Sequence, residues 1–345
     1  LISSVAINGF GRIGRTVFRV LAQRPDALDR LTLCAINEVA TAKGMAHLAR
    51  YDSTHGRFPG NMALDGSALE VDGRRIELLS TREVSDLPWS ELGVDLVLEC
   101  TGAFTDRATA EGHLTRGAKV VLLSQPAQAD VDTTVVWGIN QDSIQRDSRV
   151  ISAGSCTTNA VIPVLATLDA HFGVTAGTMT TIHSAMNDQP VLDAYHSEDL
   201  RKTRAAFNSI IPVDTGLAVG VQRILPQLAG KLTAHALRVP TLNVSAMDLA
   251  IYTHKPCDAQ TVNRILAEAA QGPLEGVLGF TQEPLASCDF AQQPQSSIVD
   301  ASQTQVSAQH LVKILIWFDN EWAYANRLID IALYLQQLHA SRGHA

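Results

Sequence analysis

The 345-residue sequence is short of the features that mark several large classes of protein. No uninterrupted apolar run approaches the roughly 18 residues of a membrane span, so a helical membrane protein is not expected. Cysteine is sparse. Cys34, Cys100, Cys156, Cys257 and Cys288 are odd in number, far apart and never in a CxxC pair. That speaks against a disulfide framework and for a reducing, cytoplasmic setting. The 11 histidines show neither HExxH nor paired Cys/His spacing, and no metal site is expected. Positive charge is in deficit, with 27 Lys and Arg against 35 Asp and Glu and a net charge of −8. Such a balance disfavours nucleic acid and anionic membrane as partners, while leaving room for a local basic pocket that takes a small anion. The opening LISSVAINGFGR has no positive segment ahead of its apolar stretch, so no secretory signal is expected. Repeats, low-complexity tracts and Pro/Ser linkers are missing too.

What is present suits a globular protein: 46% hydrophobic and 18% charged residues over a length sufficient for two domains. Strand-like runs at 5–8, 31–37, 94–99, 119–123 and 134–137 alternate with helical stretches at 12–24 and 40–51. Short buried strands alternating with helices predict a parallel α/β sheet. The polar, Gly-containing stretch 53–82 reads as a hairpin-bearing excursion. After about residue 151 the character changes. A helix is expected over 156–171, bent or loosened by Pro163. Longer alternating strands follow at 178–183, 232–239, 245–253 and 311–318, predicting a second domain on a mainly antiparallel or mixed sheet. An amphipathic helix over 320–338 is expected to return to the first domain. The expected division is therefore 1–155 plus 320–345 against 156–319.

Directly after the first strand stands Gly9-Phe10-Gly11-Arg12-Ile13-Gly14, a GxGxxG loop opening a helix. Gly9 serves the tight turn, Gly11 close backbone approach to a pyrophosphate, and Gly14 close packing of helix on sheet, with helix N-terminal amides facing the anion. Glu38, just after the second strand, sits where a carboxylate accepts from an adenosine ribose and repels a 2′-phosphate. The combination of strand, loop, helix and acid predicts NAD as cofactor; a lone loop would read as an ordinary strand–helix turn.

The segment SAGSCTTNA at 152–160 places Cys156 at an expected helix start, where backbone amides lower a thiol pKa. Asn159 and the Cys156 amide are candidate donors to an oxyanion. His183 ends an apolar strand 27 residues later, and a Cys–His pair can activate a thiol and then shuttle a proton. Taken one at a time, a buried inert cysteine and a structural strand-end histidine are the plainer alternatives. The other four cysteines are read as structural.

Ordered blocks along essentially the whole chain resemble the glyceraldehyde-3-phosphate dehydrogenase family: INGFGRIGR at 7–15, YDSTHGRF at 51–58, ECTGAF at 99–104, SCTTN at 155–159, SIIPVDTG at 209–216, RVPTLNVS at 238–245 and WFDNEWAYANR at 317–327. The resemblance implies a doubly wound Rossmann-type coenzyme domain with an inserted α+β catalytic domain, assembled as a homotetramer and acting on a small aldose phosphate. It implies that Cys156 is the nucleophile and His183 its base, that Asn320 holds the nicotinamide amide, and that Tyr324 packs on the ring. Substrate phosphate and hydroxyls would meet Thr215, Gly216 and Arg238, with Ser155, Thr157, Asp188, Lys202 and Arg204 around them. Without the resemblance, Arg238 reads as a surface ion-pair partner and Asn320 as a helix cap.

Five positions depart from the family pattern. Met186 stands where a phosphate-binding Thr is usual, and a thioether cannot donate to phosphate. That pocket should be weakened or moved, as a longer aldose phosphate would require. Lys202 offers a point charge where Arg offers a fork. Ala160 replaces a second Cys that is not the nucleophile. Ala194-Tyr195 replaces a Leu-Pro pair that bears on coenzyme selection. The hydroxyls of Ser155, Thr157 and Thr215 leave both water and inorganic phosphate open as acceptors of the acyl group.

Overall fold

The computed structural model describes residues 2–196 and 198–340. They form two compact units, one containing residues up to Ser155 together with those from Ala325 on, the other Cys156–Tyr324.

The first unit runs β1 (Ser4–Asn8), α1 (Arg12–Gln23), α2 (Pro25–Leu28), β2 (Thr32–Asn37), α3 (Ala42–Arg50), the short pair β3 (Tyr51–Asp52) and β4 (Gly56–Arg57), then β5 (Met62–Asp65), β6 (Ala68–Val71), β7 (Arg74–Leu79), β8 (Leu96–Glu99), α4 (Arg107–Thr115), β9 (Val120–Leu123), β10 (Thr133–Thr134) and β11 (Val150–Ser152). The strands form one sheet in the order β10-β11-β9-β8-β1-β2-β7-β6-β5. From β10 to β7 every pairing is parallel. β8 and β9 are buried at every position, the continuous apolar run of a strand covered on both faces. Chain order reverses between β1 and β8, and in open α/β sheets the crevice at such a switch point takes the ligand.

The stretch 53–82 bears the expected hairpins and also adds to the main sheet. β5, β6 and β7 form an antiparallel meander, yet β7 pairs in parallel with β2 and so extends the main sheet. The expected strand at 134–137 shrinks to two residues; Val135 and Val136 are buried without a ladder.

Beneath the switch point lies a buried polar network. Glu99 and His113 are both fully buried. The Trp89 indole N–H donates to His113 Nδ1 (2.9 Å), so His113 Nε2–H donates to Glu99 Oε2 (3.0 Å). That same oxygen accepts from Asn8 Nδ2 (2.6 Å), and Oε1 accepts from the Thr101 amide (2.8 Å) and hydroxyl. One carboxylate therefore ties the end of β1 to the turn after β8.

The second unit contains α5 (Cys156–Phe172), β12 (Val174–His183), β13 (Ile211–Val213), α6 (Leu217–Ile224), β14 (Leu232–Arg238), β15 (Ser245–Thr253), α7 (Ala259–Ala270), β16 (Leu278–Thr281), β17 (Ser297–Ser307) and β18 (Leu311–Phe318). The sheet order is β13-β14-β12-β15-β18-β17-β16, parallel at β12/β14 and β16/β17 and antiparallel elsewhere. A mixed sheet is what the alternating strands predict. β18 shows the reason most plainly, since its buried positions alternate without a break. α5 runs through Pro163 as a single helix.

α8 (Trp322–Ala340) departs from expectation. It is buried at every position from Trp322 to Ile329, so its first turns are not amphipathic. From Ala325 on it belongs to the first unit, where Asp330 pairs with Arg24 (2.6 Å) and the Leu333 carbonyl accepts from Arg30 (3.1 Å).

Candidate active site

In the first unit, β1 delivers the chain to Gly9, whose φ of +91° places it in the left-handed region. A Cβ there would lie 2.6 Å from the Thr101 amide nitrogen, and one at Gly14 would lie 2.1 Å from the Gly9 carbonyl oxygen. Loop and helix thus meet at a distance only glycine permits. Nothing lies within 4 Å of the Cβ position of Gly11. That open space adjoins the first turn of α1, whose amides lack intrahelical acceptors, which suits an anionic pyrophosphate.

Glu38 stands beside this loop, its two oxygens accepting from the Phe10 amide (2.7 Å) and the Val39 amide (2.8 Å). Each oxygen keeps a lone pair for ribose hydroxyls. The Arg12 guanidinium is engaged elsewhere, gripping Asp52 at 2.6 and 3.2 Å. Burial pushes the Asp52 carboxyl up. The Arg12 contact and the His55 and Thr54 amides more than reverse this, holding it well below the usual range. Arg12 therefore braces the loop with its side chain. The Phe10 ring packs edge-on against Phe18 at 5.9 Å, and Ile13 is half-buried. Asp52 and the buried Arg19, which donates to the Ala49 and Gly56 carbonyls, escape a sequence reading of the coenzyme site. The only signal for Asp52 is the YDSTHGRF block that contains it; Arg19 lies in α1, outside that block.

In the second unit, Cys156 opens α5 and His183 closes β12. Their contact runs from Sγ to Nε2 at 3.8 Å. β14 runs parallel beside β12 with Arg238 opposite His183 in register, which sets the two side chains together at the sheet's end. The Ser184 carbonyl accepts from His183 Nδ1–H at 2.8 Å; the Arg238 contact to the same nitrogen is longer, 3.4 Å. The carbonyl cannot donate, so Nδ1 carries the proton and Nε2 turns its lone pair to the thiol.

Burial pushes the Cys156 thiol up to about 11; the Thr157 amide and the Arg238 cation pull it only partly back. The expected lowering by the helix N-terminus is thus present and outweighed. Burial, then Arg238, takes His183 down to about 4. Asp188 and Glu321 oppose that shift. The resting pair is a neutral thiol facing a neutral imidazole, poised for proton transfer when the sulfur attacks.

Asn320 is buried, and its Oδ1 accepts from the Ser184 and Ser245 hydroxyls, each at 3.0 Å. It is not the helix cap. Asp319 takes that part, with Oδ1 accepting from the Glu321 and Trp322 amides and Oδ2 from Asn243 and the Gln292 amide. Tyr324 is buried in α8. Thr215 Oγ1 accepts from the Leu217 amide (3.2 Å), and Gly216 caps α6. A Cβ on Gly220 would lie 2.7 Å from Thr158 Oγ1, so α6 lies close against the first turn of α5. Ser155 and Thr157 flank Cys156 in the chain. Lys202 pairs with Asp188 (3.1 Å), and Arg204 pairs with Asp193 at the surface (3.2 Å). Met186 follows β12 and is 45% exposed.

Residues 3–107 match the family model described as glyceraldehyde 3-phosphate dehydrogenase, NAD binding domain, and residues 155–320 match its C-terminal domain. The chain belongs to the glyceraldehyde-3-phosphate dehydrogenase family. Its cofactor is NAD, and the open space at Gly11, the α1 amides and the Glu38 carboxylate fit that group. Family membership makes it an NAD-dependent dehydrogenase that oxidises a small-molecule substrate through a cysteine. The expected pairing of a doubly wound coenzyme sheet with a mixed catalytic sheet is borne out. Among the described residues no helix is long and apolar enough to cross a membrane, and no group of three His, Cys, Asp or Glu is placed to hold a metal ion.

Proposed function

We propose that the chain oxidises D-erythrose 4-phosphate to 4-phosphoerythronate, as an erythrose-4-phosphate dehydrogenase whose thioester is released by water. Met186 carries this reading. Its thioether leaves the usual phosphate site of the family without a hydroxyl donor, which favours an aldose phosphate one carbon longer. INEVA at 36–40, DLPWSELGVDLVLECTG at 86–102 and HSAMNDQPVLDAYHSEDLR at 183–201 resemble that branch of the family and imply a role in pyridoxal-phosphate biosynthesis.

In this proposal Cys156 Sγ attacks the aldehyde carbon and its proton passes to His183 Nε2, which the Ser184 carbonyl holds in the accepting tautomer. The imidazolium returns the proton to the former carbonyl oxygen, giving a hemithioacetal. NAD, when bound, supplies the acceptor for the hydride. His183 then takes the hemithioacetal proton as the thioester forms and releases it to solvent; neutral again, it takes a proton from the hydrolytic water and returns it to the Cys156 sulfur as the acid leaves. Gly9, Phe10, Gly11, Arg12, Ile13, Gly14 and Glu38 hold the dinucleotide, Asn320 the nicotinamide amide, and Tyr324 supports the ring. Arg238, Thr215 and Gly216 meet substrate oxygens, with Ser155, Thr157, Asp188, Lys202 and Arg204 around them.

A homotetramer is part of the same proposal. Val191, Leu192, Tyr195, Leu200 and Ile210 expose two-thirds or more of their surface along one segment, an apolar strap suited to burial by a second copy. Five unpaired cysteines suit a cytoplasmic setting.

The second reading is a phosphorylating dehydrogenase acting on glyceraldehyde 3-phosphate, favoured by the retained hydroxyls of Ser155, Thr157 and Thr215. Initial rates of NADH formation from each aldose phosphate, with and without inorganic phosphate, separate the two. Faster, phosphate-independent turnover of the four-carbon sugar is expected. Phosphate-dependent preference for glyceraldehyde 3-phosphate overturns the proposal.

A further inference from the structure

Three buried side chains beside His183 form a group whose hydrogen bonds run in one direction. The Ser184 amide donates to Ser245 Oγ (3.1 Å), and the Ser245 hydroxyl donates to Asn320 Oδ1 (3.0 Å). The Ser184 hydroxyl donates to the same oxygen (3.0 Å). A carboxamide oxygen has two lone pairs, and here both are taken. Turning the amide over would take from both hydroxyls the acceptor they now use. Both serines are at most 1% exposed, so water does not relieve that conflict. Asn320 Nδ2 makes no hydrogen bond among the described residues.

We infer that Ser184 and Ser245 are positioning residues that lock the Asn320 carboxamide with its oxygen inward and its N–H groups outward, as donors for the nicotinamide carboxamide. The inference rests on the proposed role of Asn320. Ser184 does double duty, because its carbonyl also fixes the His183 tautomer at 2.8 Å. One residue thereby sets both the proton acceptor facing Cys156 and the amide donor. A freely rotating Asn320 would spend part of its time presenting an acceptor, and nicotinamide recognition would weaken without any change in the dinucleotide's other contacts.

The test compares equilibrium binding of NAD with that of ADP-ribose, which lacks the nicotinamide, by titration calorimetry. Asn320→Ala is expected to weaken NAD by about tenfold and leave ADP-ribose unchanged, the size of one lost hydrogen bond. Ser184→Ala is expected to weaken NAD by about three- to tenfold with ADP-ribose again unchanged. Ser184→Cys, which keeps the volume and a weak donor, should recover part of the loss. In the Asn320→Ala background, Ser184→Ala should cost nothing further. If Asn320→Ala selectively weakens NAD while Ser184→Ala binds it like the parent, the orienting role is overturned and the reading of Asn320 stands. Additive losses in the double variant, or equal losses for NAD and ADP-ribose in both Ser184 variants, overturn it as well. If Asn320→Ala leaves NAD binding unchanged, both readings fail together.

Discussion

Glu99→Gln exchanges a carboxylate oxygen for an NH2 group at nearly constant volume, in a place where every contact is made by a donor. With the amide nitrogen toward β1, it faces Asn8 Nδ2 and the His113 Nε2–H, now 2.6 and 3.0 Å from the oxygen it replaces. His113 cannot yield by changing tautomer, because its Nδ1 already accepts from Trp89. With the nitrogen toward the following turn, it faces the Thr101 amide, 2.8 Å from the replaced oxygen. Either orientation sets at least one buried N–H against another. An unsatisfied buried donor costs about 1–3 kcal/mol, so a loss of about 2 kcal/mol is expected. For a unit of this size that corresponds to a fall in Tm of about 4–8 °C. Asn8 precedes Gly9, and the Thr101 amide is what a Gly9 Cβ would strike, so the displacement reaches the coenzyme loop. NAD affinity should drop by about three- to tenfold, ~1 kcal/mol of the disturbance passing into the loop. Differential scanning calorimetry and NAD titration measure both. A Tm within about 1 °C of the parent with unaltered NAD affinity would refute the reasoning, because the glutamine would then have found an arrangement that satisfies every donor.

Gly14→Ala places a Cβ 2.1 Å from the Gly9 carbonyl and should lower NAD affinity by at least about tenfold in the same titration, since the loop must move; parental affinity contradicts this. Arg238→Gln removes the cation that draws the Cys156 thiol down against the effect of burial, so iodoacetamide alkylation should shift to more alkaline pH; an unmoved or acid-shifted profile refutes it. His183 is neutral when buried, at about 4 against 6.5 unfolded, so the unfolded chain binds more protons between those values. Stability should be complete above pH 6.5 and fall toward pH 4, by at most on the order of 3 kcal/mol, and His183→Asn should remove this part of the slope in denaturant titrations.

The coenzyme loop is legible in the sequence because its main constraints are local: Gly14 is required by contact with Gly9 inside one strand–loop–helix unit and Gly9 by its own left-handed φ, although the backbone that a Gly9 Cβ would strike belongs to Cys100 and Thr101 after β8. Cys156 and His183 stand out through the ordered blocks around them. Their partnership with Arg238 depends on the parallel pairing of β12 with β14, a register set by strands some fifty residues apart that no spacing rule reveals. Burial of the thiol is likewise a tertiary property, and it reverses the direction expected from the helix N-terminus alone. Glu99 hides at the end of the apolar run VDLVLE, where its side chain reads as the polar edge of a strand. The dipeptide Asp319-Asn320 offers two capping residues in succession, and only the fold shows that Asp319 caps while Asn320 serves the site. α8 reads as amphipathic because its charged residues look solvent-facing; Arg327 and Asp330 instead pair with each other. β16 and most of β17 lie in 255–305, where frequent polar residues mask the strand pattern.

The division of the chain at α8 has a consequence for synthesis. The first unit is begun by the opening residues and finished only by those from Ala325 on, after the whole second unit has been made. Leu328, Ile329, Ile331, Ala332 and Leu335, all essentially buried, thus leave a ribosome only after the whole second unit has done so. A nascent chain that has just released Phe318 already possesses every strand of both sheets and still lacks the helix that completes its coenzyme unit. Premature termination near this point would spare the machinery of the thiol and leave the dinucleotide unit with an uncovered hydrophobic face, the kind of surface that chaperones and proteases recognise.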